Sequence, residues 1–261
     1  VNKPVGPKKC SKGKSCAKTC ISRNKRCVVK LAPGLGAELE NLRNALKKEI
    51  PYSEWKVLAQ GNNGKVSISP DGKRVVKTLL KGEDGKWGEF GPYEVELATK
   101  MGKLGHSPII RSSSDTHIEM DVAKGSPLWK TYARGEDEPI MNAAQATRAG
   151  YALRDLHKMG FAHGDAHSQQ FLVDGNNVKL VDFGLSVPVS KQPSRVMQDL
   201  SKIAKLLGWD NPELASDPYF QIVNKHLNAY TALGESTSKA AKAKRIEIAE
   251  AYLKDLSTLE Q

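Results

Sequence analysis

His163-Gly164-Asp165-Ala166-His167-Ser168-Gln169-Gln170-Phe171, followed ten residues later by Val181-Asp182-Phe183-Gly184, is the part of this chain whose reading decides its fold. The residues between, Phe171 to Val181, read as a hairpin, so Asp165 and Asp182 sit on two successive short loops. Upstream, 143–159 has the apolar spacing of a long helix that runs into the first loop. Downstream, helices are expected over 194–207, 218–230 and 237–257.

Working further outward, 55–80 changes period. Val57, Leu58, Val66, Ile68, Val75 and Val76 form a strand-like pattern, broken by the turn signals Gly61-Asn62-Asn63-Gly64 and Pro70-Asp71-Gly72. A helix is expected around 91–103, then strands near 108–111 and 117–122. Leu35, Leu39, Leu42 and Leu46 recur at helical spacing after the hinge-like Pro33-Gly34-Leu35-Gly36, and Pro51 closes that helix. Strands therefore come first and helices later, with the two aspartate loops at the join.

Two carboxylates so placed suit phosphoryl transfer, in which one is aimed at an attacking hydroxyl and the other holds Mg²⁺ on the phosphates of ATP. The paired loops resemble the catalytic loop and Asp-Phe-Gly segment of the protein-kinase superfamily, and other segments extend the resemblance. Val75-Val76-Lys77 is similar to the strand motif whose lysine neutralises phosphates. Glu94, on the same helical face as Leu97 and Met101, is its expected acidic partner, while Glu96 falls off that face. Gly61 and Gly64, with Val66 after them, resemble the latter part of a glycine-rich loop whose first glycine falls at Ala59. Ile118 to Leu128 looks like an interlobe hinge, in which backbone groups around Met120 to Val122 would meet the adenine edge.

The resemblance implies an α+β, two-lobed kinase-like fold: a small β-rich N-lobe, a helical C-lobe lacking a full activation segment, and an N-terminal basic, Cys-rich arm. It implies catalytic roles for Asp165, Lys77, Glu94 and His163, the last as a buttress of its loop. It implies nucleotide contacts from Gly61, Gly64, Val66, Lys77, Glu119, Met120 and Val122, and Mg²⁺ ligation by Asp182 and Gln170. His106, His117 and His157 receive no role. The segments divide as 1–33 basic module, 34–51 linker helix, 52–122 N-lobe and 123–261 C-lobe.

Three positions depart from the superfamily pattern. Gln170 stands where the second metal-binding Asn is expected, keeping the amide oxygen but adding a methylene. Gly164 replaces the arginine that commonly reads activation-loop phosphate, and no Ala-Pro-Glu segment follows Asp182-Phe183-Gly184 before the helix containing Asp199. The last two changes agree, because without an activation loop its arginine sensor has no purpose. His-Gly-Asp with a compact C-lobe resembles the atypical branch of Rio-type kinases, bacterial effector kinases and aminoglycoside phosphotransferases. His167, two residues after Asp165, is shared with the small-molecule phosphotransferases.

Charge is concentrated at one end. Ten of the 40 basic residues and none of the 29 acidic ones fall in residues 1–30, so the net +11 shrinks to +1 for the remainder. Such an arm favours a polyanion (nucleic acid or an acidic protein surface) or a larger assembly; it also reads as a solvated, solubilising arm. Cys10, Cys16, Cys20 and Cys27, the chain's only cysteines, lie in it and read as a module stapled by zinc or by two disulfides, with free thiols as the remaining option. Its Cys-x-x-Gly-Lys-x-Cys-x-x-x-Cys pattern resembles short segments of phage virion-associated proteins.

No apolar run approaches the ~20 residues that span a bilayer, and no stretch near Val1 has secretory-signal character. A soluble, cytoplasmic or virion-associated protein is expected. Val1 fits either initiator-Met removal or cleavage from a precursor. The leading expectation is an ATP- and Mg²⁺-dependent Ser/Thr protein kinase without activation-loop control. A small-molecule phosphotransferase would need an acidic, partly enclosed acceptor pocket near Asp165. A structural, weakly catalytic kinase fold anchored by the arm is the third reading.

Overall fold

The computed structural model describes residues 14–16, 19–21, 51–61, 64–82, 88–128, 141–207 and 212–259. The chain divides into two compact units, Val1–Pro51 and Tyr52–Gln261. In the first, β1 (Lys14–Cys16) and β2 (Thr19–Ile21) form an antiparallel hairpin in which Cys16 pairs with Thr19 and Cys20 with Ser15. Cys10, Cys27 and the helix expected over 34–51 lie outside the described residues, as does the side-chain chemistry of Cys16 and Cys20.

The second unit is α+β and two-lobed. Its N-lobe is an antiparallel sheet of order β3-β4-β5-β7-β6, from β3 (Lys56–Gln60), β4 (Gly64–Ile68), β5 (Arg74–Leu79), β6 (Ile110–Ser113) and β7 (His117–Asp121). The helix α1 (Glu94–Lys103) interrupts this succession, burying Glu94, Leu97 and Met101 and leaving Glu96 to pair with Lys100 on its outer side.

Register assigns the two faces of this sheet. Lys77 lies opposite Val66 on one side and Ile118 on the other, and Val75 lies opposite Met120, so these five side chains share a face. The alternate residues Arg74, Val76 and Glu119 point to the other face, together with Ser67. That second face is closed by the turn Tyr52–Glu54 and by Trp55: the Tyr52 and Trp55 rings meet edge-on at 5.0 Å, and the Arg74 guanidinium stands 5.3 Å above Trp55.

The C-lobe begins with β8 (Ser126–Pro127) and α2 (Ala143–Lys158), which starts at a reciprocal cap between Asn142 and Gln145. Strand β9 (Phe161–Ala162) leads into the first aspartate loop, and β10 (Phe171–Asp174) with β11 (Asn177–Leu180) forms the expected hairpin. After Asp182 there is only the short turn Phe183–Leu185, then β12 (Val187–Pro188), which pairs back onto β9. Helix α3 (Ser194–Leu207) follows at once; no longer activation segment intervenes.

Helices α4 (Pro218–Thr231) and α5 (Lys239–Ser257) complete the lobe. Asp217 caps α4 by accepting from Tyr219 N and Phe220 N, with Pro218 preset at the first helical position. The core joins Ala149, Leu153 and Leu156 of α2 to Val196, Leu200 and Ile203 of α3, Phe220 and Val223 of α4, and Ala249 and Tyr252 of α5. The four helices thus bury their apolar stripes against one another. No described helix is long and apolar enough to cross a membrane.

Candidate active site

Lys77 is the hub of the site. Its Nζ lies 2.6 Å from Glu94 Oε1 and 2.8 Å from Asp182 Oδ1, which ties the sheet, α1 and the second aspartate loop together. Burial alone would lower the Lys77 pKa, but the carboxylates of Asp182 and Glu94 outweigh it and raise it. Partial burial would raise Asp182 in the same way; the Lys77 ammonium reverses that and holds the carboxyl below its usual range. Both groups are therefore charged at neutral pH.

Asp182 takes φ 65° and ψ 72°, and it alone among the described non-glycine residues has positive φ. That left-handed conformation costs about 1 kcal/mol or more and recurs where surrounding structure imposes it, as at active sites. Next to it, Phe183 is buried beside Leu97 and Met101, so the loop is pinned on its apolar side while the Asp182 side chain stays 48% exposed.

The approach of α1 to this loop depends on Gly91. A Cβ there would stand 2.1 Å from the Gly184 carbonyl oxygen, and Gly91 N donates to Glu94 Oε2 at 3.3 Å. Backbone lies against backbone at this point, which places Glu94 within reach of Lys77.

The first loop is held from below by Asp199 of α3. This buried carboxylate accepts from His163 N at 2.7 Å and from Gly164 N at 3.0 Å. Behind it, His157 Nε2 lies 3.5 Å from Asp199 Oδ2, and His157 Nδ1 is 3.0 Å from the Tyr252 hydroxyl. Asp199 was legible in the sequence as a helix residue but not as the anchor of the loop. A lone acid on the apolar stripe of α3, at the position next to Leu200, was the available signal.

His163 is fully buried, and burial lowers its pKa, so the ring is neutral. Asp165 N donates to its Nδ1 at 3.4 Å, which leaves the proton on Nε2 to be donated to Val181 O at 3.1 Å. One ring thereby braces both aspartate loops, and it packs 5.3 Å from Phe183. With no exposed surface, the His163 ring lies against the loops and not in the cleft.

Gly164, the second departure from the superfamily pattern, has a steric explanation. Its φ is +81°, and a Cβ would stand 2.2 Å from the Leu185 carbonyl oxygen. An arginine does not fit where the turn after Asp182 crosses so closely.

Asp165 is partly exposed and flanked by two cation-capable groups. His167 Nε2 is 3.3 Å from its Oδ2, and Lys202 Nζ of α3 is 3.5 Å from its Oδ1. Gln169 N donates to His167 Nδ1 at 3.2 Å, so a neutral His167 carries its proton on the nitrogen facing Asp165. Gln170, at the end of the Ser168–Gln170 turn, brings its amide to 3.4 Å from His167 Nε2.

Of the expected nucleotide contacts, Val66 and Met120 share the Lys77 face. Gly61 and Gly64 bracket the β3–β4 connection, whose Asn62 and Asn63 lie outside the described residues; Gly61 N donates to Gly64 O at 2.9 Å. Val122 follows β7 and lines a recess of about 420 Å³ with Pro108, Asp121, Asp174 and Lys179, apart from Lys77, Asp165 and Asp182. The Glu119 side chain lies on the opposite face. Strand alternation turns it away from Lys77, and it accepts from Tyr52 OH at 2.6 Å and from Arg74 NH1 at 2.9 Å. The unassigned histidines have structural partners: His106 with Asp155 at 2.7 Å, His117 with Ser114 at 2.7 Å, and His157 as above.

No protein-family model matches the chain. Over 149 residues, 56% of its length, it is 28% identical to a probable bifunctional tRNA threonylcarbamoyladenosine biosynthesis protein of Methanocorpusculum labreanum, of which it covers 25%. It is 29% identical over 175 residues, 62% of its length, to mitogen-activated protein kinase kinase kinase 9 of Arabidopsis thaliana, covering 22% of that protein. It is 27% identical over 161 residues, 56% of its length, to mouse testis-specific serine/threonine-protein kinase 3, covering 59%. The chain thus spans about a fifth to three fifths of the length of these relatives. Among solved structures, the Cydia pomonella granulovirus kinase PK-1 is similar with a TM-score of 0.49 and 16% identity, over 85% of this chain and 98% of that one. In its two-lobed architecture, its short link from Asp182 to α3 and its sequence, the chain is similar to proteins of the protein-kinase-like superfamily.

Proposed function

We propose that the chain is an ATP- and Mg²⁺-dependent kinase that phosphorylates Ser or Thr hydroxyls of proteins. The observation that carries this reading is Lys77 bridging Glu94 and Asp182 at 2.6 and 2.8 Å, opposite a partly exposed Asp165. A cation fixed between two acids on rigid elements is preorganised for phosphate oxygens.

The residues fit the metal. Asp182 and Gln170 carry hard oxygen donors, and the Asp182 side chain stays 48% exposed. That suits Mg²⁺, which retains waters and takes substrate phosphates into its shell. Bound there, Mg²⁺ would neutralise charge on the phosphate oxygens.

The chain's own groups do the rest. Lys77 holds phosphate, Glu94 holds Lys77, and Asp165 orients the acceptor hydroxyl and receives its proton. The acceptor oxygen forms a bond to the γ-phosphorus as the bond from that phosphorus to the bridging oxygen breaks, and ADP departs. Glu94 is already engaged, and the link from Asp182 to α3 is short, so activity needs no activation-segment phosphorylation.

Two observations weigh against a cationic small-molecule acceptor. The described side chains paired with Asp165 are those of Lys202 and His167, not acids, and residues 210–261 are too few to build a large acceptor-binding insertion. The test is Mg²⁺-dependent transfer of labelled γ-phosphate to the protein itself and to a cell lysate, comparing wild type with Asp182→Ala and Lys77→Ala. Transfer to proteins that both substitutions abolish is the expected result. No transfer, with no change of melting temperature on adding ATP and Mg²⁺, would overturn the reading in favour of a structural role.

A further inference from the structure

The segment that follows Asp182 is rich in basic residues. β12 pairs with β9, whose chain continues directly into His163, so the run after Asp182 lies alongside the first loop. Helix α3 then returns to that loop and brings Lys202 Nζ to 3.5 Å from Asp165 Oδ1. From 185 to 207 the sequence contains Lys191, Arg195, Lys202 and Lys205 and a single acid, Asp199. Asp199 is buried and turned to His163 and Gly164, so it does not offset them at the surface.

Arg195 lies seven residues before Lys202, about two turns and ~10.5 Å along the same helical face. It is held in place by Gln192 and Gln198, with 3.1 Å from Nε to Gln192 Oε1 and 3.2 Å from NH1 to Gln198 Oε1. Among the described residues, Arg195 and Lys191 have no carboxylate within ion-pair distance. An extended peptide advances ~3.3 Å per residue, so ~10 Å corresponds to about three residues.

We propose that the acceptor is an acidic peptide segment, read by Lys202 beside the hydroxyl and by Arg195 about three residues away. The proposal rests on the kinase reading and names the substrate class for the same site. Lys202 has a double use in it. Before the acceptor arrives it rests against Asp165, and a carboxylate next to the incoming hydroxyl draws it off and leaves Asp165 Oδ1 to the substrate.

The experiment uses the full chain with ATP, Mg²⁺ and a library of Ser-centred peptides in which Glu, Ala or Lys is placed singly at each position up to four residues either side. Wild type is expected to favour Glu over Ala by roughly five- to tenfold in kcat/KM at the position adjacent to Ser and at one about three residues away. That preference should shrink as salt is raised. Arg195→Glu should invert the distal preference to Lys and leave the adjacent one, and Lys202→Glu should do the reverse. Equal rates with Glu, Ala and Lys would overturn the proposal while leaving the kinase reading intact. Transfer to lysate proteins but to no peptide would overturn it too, because recognition would then lie outside the local segment. Absence of transfer to any acceptor, with no thermal shift by ATP and Mg²⁺, would instead overturn the kinase reading.

Discussion

Replacing Asp199 by Asn keeps the size of the side chain and removes its capacity to accept twice. The carboxylate receives two backbone N–H groups, at 2.7 and 3.0 Å, in a site where Asp199 is 1% exposed. An asparagine can accept one of them and must turn its NH₂ toward the other. The charge-assisted bond that is lost is worth about 1.5–3 kcal/mol, and the N–H left without a partner costs about 1–3 kcal/mol more. Relief from burying a carboxylate offsets part of this, so a net loss of about 3 kcal/mol is expected. For a domain of this size that lowers Tm by roughly 6–12 °C. Because the two N–H groups belong to His163 and Gly164, next to Asp165, kcat should fall at least ~10-fold at 15 °C. KM for ATP should hold, since Lys77 and Glu94 are anchored elsewhere. A Tm within ~2 °C of wild type together with an unaltered kcat would refute the claim that Asp199 positions the loop.

Other substitutions probe separate parts of the structure. Gly164→Arg, which installs the superfamily residue, should destabilise the protein by about 3 kcal/mol or more, because φ is +81° and Leu185 O occupies the Cβ position; soluble yield and denaturant midpoint report it. Lys77→Met tests the charge hub through its pH dependence. The Asp182 pKa is depressed, so its contribution is present above the unfolded value of ~3.9 and lost as pH falls through the folded one. The Lys77 pKa is raised, so its contribution is present below ~10.4 and lost as pH rises through the folded value. The stability difference between wild type and Lys77→Met, from urea titrations, should therefore be flat from about pH 5 to about pH 10. Tyr252→Phe removes the hydroxyl that sits 3.0 Å from His157 Nδ1 in a closed core and should cost about 1–2 kcal/mol, seen as a Tm lowered by roughly 3–6 °C.

Much of this protein is legible in its sequence because local physics writes it there. The β-branched Val66, Ile68, Val75 and Val76 between turn signals specify strands, and the apolar stripes of 143–158 and 194–207 specify helices, whatever lies across from them. The Gly175-Asn176 connection closes the β10–β11 hairpin, so Asp165 and Asp182 are held on adjacent loops by the shortness of the chain between them. Glu94 falls on the inner side of α1 because Leu97 and Met101 do.

What needed the tertiary structure is everything set by pairing across long separations. Glu119 alternates with Ile118 and Met120 in any strand, but only the register of β5 against β7 says which parity shares the Lys77 face. Asp199 and Lys202 are 34 and 37 residues from Asp165 in sequence, one turn apart on one helix. Asp199 is buried and Lys202 exposed, and the packing of α3 beneath the loop is what makes one an anchor and the other a neighbour of Asp165. Gly164 likewise looks like a missing arginine until Leu185 O is found where its Cβ would stand.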